Sequence, residues 1–237
     1  GLLEELSAEG LLSSINHPLQ PPWEWLFKDT DLRTIQCLEL WNDLYWPGNI
    51  TANPATVEMW TEWLNAGYRI TAIGGSDYHY PPRPEENKPG ERLGMPTTYV
   101  YAEELSTAGI LDALRKRRAY VTKGPQFDFR AKANGRSYEI GADMGVQDRG
   151  IDFIVTIPYQ PKTINLQLVM NGAVIAEEQT KGRDINVRFR HKVDAISSVW
   201  FRLDIRDNDG DVLAITNPVF VGPEKKVDQY RYGELKP

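Results

Sequence analysis

Histidine occurs three times in the 237 residues, and two of those positions are placed where chemistry can be done. His17 lies in Ile15-Asn16-His17-Pro18, just past an apolar run. His79 closes Gly74-Gly75-Ser76-Asp77-Tyr78-His79, just past another. Asp77 and His79 are two residues apart, and on extended backbone that spacing turns both side chains the same way. A hard carboxylate oxygen and a borderline imidazole nitrogen aimed at one point can share a divalent ion such as Zn²⁺, Mn²⁺ or Fe²⁺. Each signal alone has an ordinary reading, because a lone histidine before proline is usually structural. Taken together and in this order, they make His17, Asp77 and His79 the candidate metal ligands and catalytic residues. No serine–histidine or cysteine–histidine nucleophile competes. Cys37 is the single cysteine and sits in an apolar run, which reads as core, and His191, between Arg190 and Lys192, reads as an exposed strand residue.

The elements that must position these residues alternate in period over residues 1–124. Leu2, Leu3 and Leu6 fall at helical spacing, and residues 11–15 read as a short buried strand. Residues 34–40 form a second strand candidate, carrying Ile35, Leu38 and Leu40. Val57, Trp60, Trp63 and Leu64 make one face of a helix that Gly67 ends as a left-handed cap residue. Residues 69–75 are a third strand. A further helix begins at Ser106, whose hydroxyl can accept a free first-turn amide, with Leu105 and Ile110 at the two positions of a hydrophobic staple. Ile110, Leu111 and Leu114 supply its expected buried face. The basic run at 115–118 reads as cations opposing the negative end of that helix. Such alternation implies a parallel sheet or barrel with function at the C-terminal ends of its strands.

After Gly124-Pro125 the period changes to two. Apolar residues alternate over 127–131, 151–157, 164–170, 185–189, 199–205 and 212–215. Asn134-Gly135, Asn171-Gly172, Lys181-Gly182 and Asn208-Asp209-Gly210 supply turn signals between them, since asparagine and glycine tolerate positive φ. This predicts an antiparallel, Ig-like β-sandwich over 125–222, followed by a loosely held polar tail over 223–237. Asp207-Asn208-Asp209-Gly210-Asp211 has some letters of a calcium loop but lacks its distal glutamate and reads as a turn. Asn49-Ile50-Thr51 reads as a chance glycosylation sequon.

Composition narrows the functional classes. Hydrophobic residues make up 41% and charged residues 25%, enough apolar material for a true core. A net charge of −6 argues against a nucleic-acid surface, which needs a basic footprint. No apolar run reaches the roughly 18–20 residues that span a bilayer. The start, Gly1-Leu2-Leu3-Glu4-Glu5, is not that of an export signal, and Gly1 in place of methionine reads as a processed or artificial start. The compartment stays open between cytoplasmic and exported bacterial-type.

Asn16-His17-Pro18, then Leu38-Glu39-Leu40-Trp41-Asn42, then Gly75-Ser76-Asp77-Tyr78-His79 resemble the later motifs of PHP (polymerase and histidinol phosphatase) hydrolases. Gly94-Met95-Pro96-Thr97-Thr98-Tyr99-Val100, Ala113-Leu114-Arg115, residues 119–125 and Ala214-Ile215-Thr216-Asn217-Pro218 are similar to its CehA/McbA-like branch. The resemblance implies a distorted (β/α)7 barrel holding two or three Zn, Mn or Fe ions that activate water against phosphoesters or related small-molecule esters. It makes His17, Asp77 and His79 ligands, sets Glu39 and Asn42 along the site, and lets Arg92 clamp an anionic group; separately, the position of Trp23 in the loop after His17 suits it to wall the pocket. It departs from this chain at the family's early His-x-His motif, because no histidine precedes His17. The expectation is therefore the C-terminal portion of a PHP-type barrel followed by a sandwich, its site completed by a missing N-terminal segment. The competing expectation is a non-catalytic carbohydrate- or protein-binding module on a remnant barrel, with its tryptophans as the ligand platform.

Overall fold

The computed structural model describes residues 1–79, 92–194 and 196–235. The chain is α/β followed by antiparallel β, and it forms two compact units, Gly1–Tyr99 with Val227–Pro237, and Val100–Lys226. The change of sequence period at Gly124 and the division at Tyr99 fall in different places, because periodicity reports local geometry and compactness reports packing. No helix among the described residues is long and apolar enough to cross a membrane.

The first unit holds α1 (Leu2–Ala8), β1 (Ser14–Ile15), β2 (Cys37–Asn42), α2 (Asn49–Asn65) and β3 (Thr71–Gly75). The strands make one parallel sheet in the order β1-β2-β3. Its central strand β2 is buried at all six positions, as a parallel strand covered on both faces must be. Helix α2 is the crossover from β2 to β3. Gly67 takes φ +102 behind it; its N–H donates to the Leu64 carbonyl, and the Tyr68 N–H donates to the Trp63 carbonyl, at 3.0 Å each. These are the two bonds of a Schellman cap, so the glycine stops the helix as its position predicts. Trp60 and Trp63 are fully buried, and the Trp60 indole donates to the Ile70 carbonyl at 2.9 Å, fastening α2 to the lead-in of β3.

The strand edges differ from expectation. Residues 34–36 do not join β2, because Leu32–Thr34 closes a 3₁₀ turn that Asp31 caps through the Arg33 amide. Leu11 is exposed and only Ser14–Ile15 pairs. The expectation of a loose tail is overturned. Tyr232 is fully buried and its hydroxyl donates to the Pro18 carbonyl at 3.0 Å. The Tyr68 hydroxyl donates to the Asp228 carbonyl at 2.8 Å and accepts the Tyr230 N–H at 2.9 Å. An aromatic side chain of that size fills core volume whatever the polarity of its neighbours. The last two residues of the tail lie outside the described residues.

Strand β4 (Thr97–Val100) leads into the second unit, which contains α3 (Thr107–Arg115), β5 (Ala119–Thr122), β6 (Asp128–Ala133), β7 (Arg136–Glu139), β8 (Ile151–Met170), β9 (Ala173–His191), β10 (Val199–Arg206), β11 (Val212–Thr216) and β12 (Val219–Val221). The Ser106 hydroxyl accepts the Gly109 N–H at 3.0 Å, as a capping serine should. The staple fails: Leu105 is 97% exposed. On α3 only Ala113 is buried, while Ile110, Leu111 and Leu114 are half-covered.

The strands of this unit run β5-β11-β10-β8-β6-β7 through one hydrogen-bonded path, with β9 along β8 and β12 on β10. The two sequence segments 151–157 and 164–170 are one strand. Its residues 152–156 pair with β6 and its residues 165–170 pair with β10, on either side of an irregularity between Gln160 and Ile164. A strand that changes partners at a bend lets one sheet fold over itself. The aromatic core joins the two parts: Phe153 of β8 stands 4.6 Å from Phe201 of β10 and 6.0 Å from Phe129 of β6, ring centre to ring centre. Asn134-Gly135 and Asn171-Gly172 turn with φ of +52, +75 and +50, +92, as type I′ hairpins require. Lys181-Gly182 is not a turn; Gly182 pairs with Gln160 inside β9.

Candidate active site

The parallel register of the first unit brings the three motifs together. Ile15 is opposite Leu38, and Asn42 is opposite Gly75, so the chain leaves β1 at Asn16-His17, β2 at Asn42 and β3 at Ser76-Asp77, all on the C-terminal side of one sheet. His17 and Asp77 both take left-handed backbone, φ +36 and +45. Left-handed geometry is costly for residues other than glycine and collects at functional positions.

His17 is oriented by two hydrogen bonds. Its backbone N–H donates to Glu39 Oε2 at 2.7 Å, and its Nδ1 lies 3.0 Å from the Trp23 carbonyl. A carbonyl can only accept, so in the neutral ring Nδ1 carries the proton and Nε2 keeps its lone pair. That is the tautomer a metal-ligating histidine needs. Asp77 Oδ1 and His79 Nε2 are 2.9 Å apart at the protein surface, 36% and 65% exposed. The two side chains meet although Asp77 is left-handed rather than extended, so the contact does not arise from the extended spacing expected of them.

Glu39 is 8% exposed in the middle of β2. Burial pushes its carboxyl above the ordinary range, and hydrogen bonds from the Asn42 side chain and the His17 N–H pull it back. Asn42 is buried, and its backbone and side chain are used inside the protein. Its N–H donates to Asn53 Oδ1, its carbonyl accepts from Asn49 and Asn53, and its Oδ1 accepts from Asn49. The residue expected along the site wall is thus a brace between β2 and the first turns of α2. Asn49, the sequon asparagine, is part of that brace and buried.

Trp23 is exposed in the loop after His17 and tilts against exposed Trp46 at 5.4 Å between ring centres. Arg92 is exposed and is the first described residue after His79. In the same loop as Trp23, the Gln20 Oε1 and Glu24 Oε2 atoms are buried and have no hydrogen-bond partner among the described residues. Nothing in the local sequence marks them.

The donor chemistry suits a divalent ion: an imidazole with a free Nε2, a carboxylate, and a second imidazole two residues on. The number does not yet suffice. Among the described residues, no group of three or more His, Cys, Asp or Glu side chains is gathered closely enough to hold a metal ion.

The other chemical candidates have structural partners. Lys116 pairs with Asp112 at 2.7 Å, Arg118 with Glu103 at 3.0 Å, and Arg117 donates to the Gly141 carbonyl. Asp207 accepts the Asp209 and Asp211 amides, which makes the acidic stretch a closed turn. Cys37 is buried, and His191 lies at the end of β9 against Phe201. No protein-family model matches the chain, and no curated protein is significantly similar to it.

Proposed function

We propose that the first unit is part of the active site of a metal-dependent hydrolase of the PHP type, acting on phosphoesters or related esters. The placement of His17 just after β1 and of Asp77 and His79 just after β3, on the C-terminal side of one parallel sheet, carries this reading, because α/β architectures bind and react there. On this reading β1–β3 are the closing strands of a (β/α)7 barrel, and residues 125–222 form an Ig-like sandwich.

A bound Zn²⁺, Mn²⁺ or Fe²⁺ supplies Lewis acidity and lowers the pKa of water from about 15.7 towards 7. His17 contributes Nε2, held ready by its bond to Trp23. Asp77 and His79 would offer the ion a carboxylate oxygen and an imidazole nitrogen. Arg92 receives the anionic group of the ester and Trp23 shields one side of the pocket. The remaining ligands come from outside the described residues, with an upstream segment as their source.

The test is calorimetric titration of Zn²⁺ and of Mn²⁺ into this chain and into His79→Ala. Saturable binding that disappears in the variant supports the reading. Absence of binding in both counts against a site built on these residues. The exposed Trp23–Trp46 pair favours a second reading, a carbohydrate-binding face. A tryptophan-fluorescence change with an oligosaccharide that persists in EDTA separates the two.

A further inference from the structure

We propose that Glu39 is a positioning residue for His17, its carboxylate holding the His17 backbone N–H so that the imidazole is presented with Nε2 outward. This deepens the hydrolase reading and rests on it only for the identity of the ion.

The geometry singles out reach. Glu39 projects from the central strand, and Oε2 lies 2.7 Å from the His17 nitrogen. The β1–β2 pairing that ends at Ile15–Leu38 sets the approach. Asn42, itself braced by Asn49, steadies the carboxylate from its own strand.

His17 needs such a hold. Its φ of +36 is unfavourable for a side-chain-bearing residue, and Pro18 behind it disfavours the right-handed alternative. Two bonds fix the residue at opposite ends, one at the backbone N–H and one at Nδ1. Releasing the first frees the backbone to relax, and the ring then loses the aim that the second alone cannot give.

Two fold-preserving variants separate positioning from direct use of the charge. Glu39→Gln keeps the length and an acceptor oxygen but removes the charge. Glu39→Asp keeps the charge but falls about one methylene short of the His17 N–H. The readouts are hydrogen exchange of the His17 amide in the metal-free chain and Zn²⁺ affinity by calorimetry. Positioning predicts that Glu39→Gln stays within a few-fold of the parent in both. It predicts that Glu39→Asp exchanges the His17 amide at least tenfold faster and weakens Zn²⁺ roughly 10–100-fold, the usual size of losses from residues behind a ligand. The reverse order, with Gln damaging and Asp tolerated, overturns the proposal and makes the carboxylate a direct participant. Unchanged His17 exchange in Glu39→Asp also overturns it. If the parent chain binds no Zn²⁺, the hydrolase reading fails, and amide exchange alone still decides whether Glu39 holds His17.

Discussion

Each unit contains an acid and a nitrogen base two residues apart and joined side chain to side chain, but the two pairs live in opposite surroundings. In the second unit Arg202 and Asp204 lie on one face of β10, bidentate at 2.8 and 3.1 Å and only 5% and 4% exposed. In the first unit Asp77 and His79 sit beyond the end of β3 and are open to water. Left-handed backbone divides the same way. In the second unit it occurs at Asn134 and Asn171, where the hairpins require it, and also at Arg117 and Asp184; in the first it falls on His17 and Asp77. The same two devices serve architecture in one unit and stand at open strand ends in the other.

The contrast can be broken most directly at the ion pairs. Asp204→Ala leaves the Arg202 guanidinium without its carboxylate in the interior, and should cost about 3–5 kcal/mol in urea unfolding. Asp77→Ala should change stability by less than about 1 kcal/mol, as exposed pairs do. Equal losses at the two sites would erase the distinction between them. A smaller effect tests the backbone. Asn134→Gly should be near neutral, while Asn134→Ala should cost about 1–2 kcal/mol for a left-handed residue, read from the shift in urea midpoint. If alanine is tolerated there, the turns of the second unit are under no such constraint.

The smallest effect is a pH dependence. Arg188 beside Asp152 holds that carboxyl below the ordinary range, against a slight rise from burial. A lowered folded value stabilises the protein above the unfolded pKa of about 3.9, and the benefit is lost as pH falls through the folded value. Arg188 is more than half exposed, so the contribution stays under about 1 kcal/mol. Asp152→Asn should therefore be slightly less stable than the parent at pH 7, with the difference closing below about pH 4. A gap that widens on acidification would contradict the pairing.

Much of this was legible locally. Gly67, Ser106, Asn134 and Asn171 act as their letters predict because caps and tight turns depend on a few adjacent residues. The strand ends carrying His17 and Asp77 were legible because an apolar run and the residue after it lie side by side in sequence. What failed depended on distant chain. Lys181-Gly182 reads as a turn but is drawn into β9 by its pairing with Gln160. Leu105 sits in a staple position yet finds no apolar cover. Glu39 could be placed near the site from its motif, but its hold on His17 joins residues 22 positions apart and belongs to the β1–β2 register.

The buried tail has a consequence for the order of folding during synthesis. Tyr232 reaches Pro18 across 214 residues of chain, and Tyr230 reaches Tyr68 across 162. The first unit thus closes on a segment made after the whole of Val100–Lys226, which is the insertion. Chains ordinarily complete their N-terminal part first as they leave the ribosome. Here the later-made unit has all its strands available while the earlier one still waits for its last aromatic residue. A nascent chain stopped at Gly222 would carry the candidate ligands on a sheet whose core had not yet been filled.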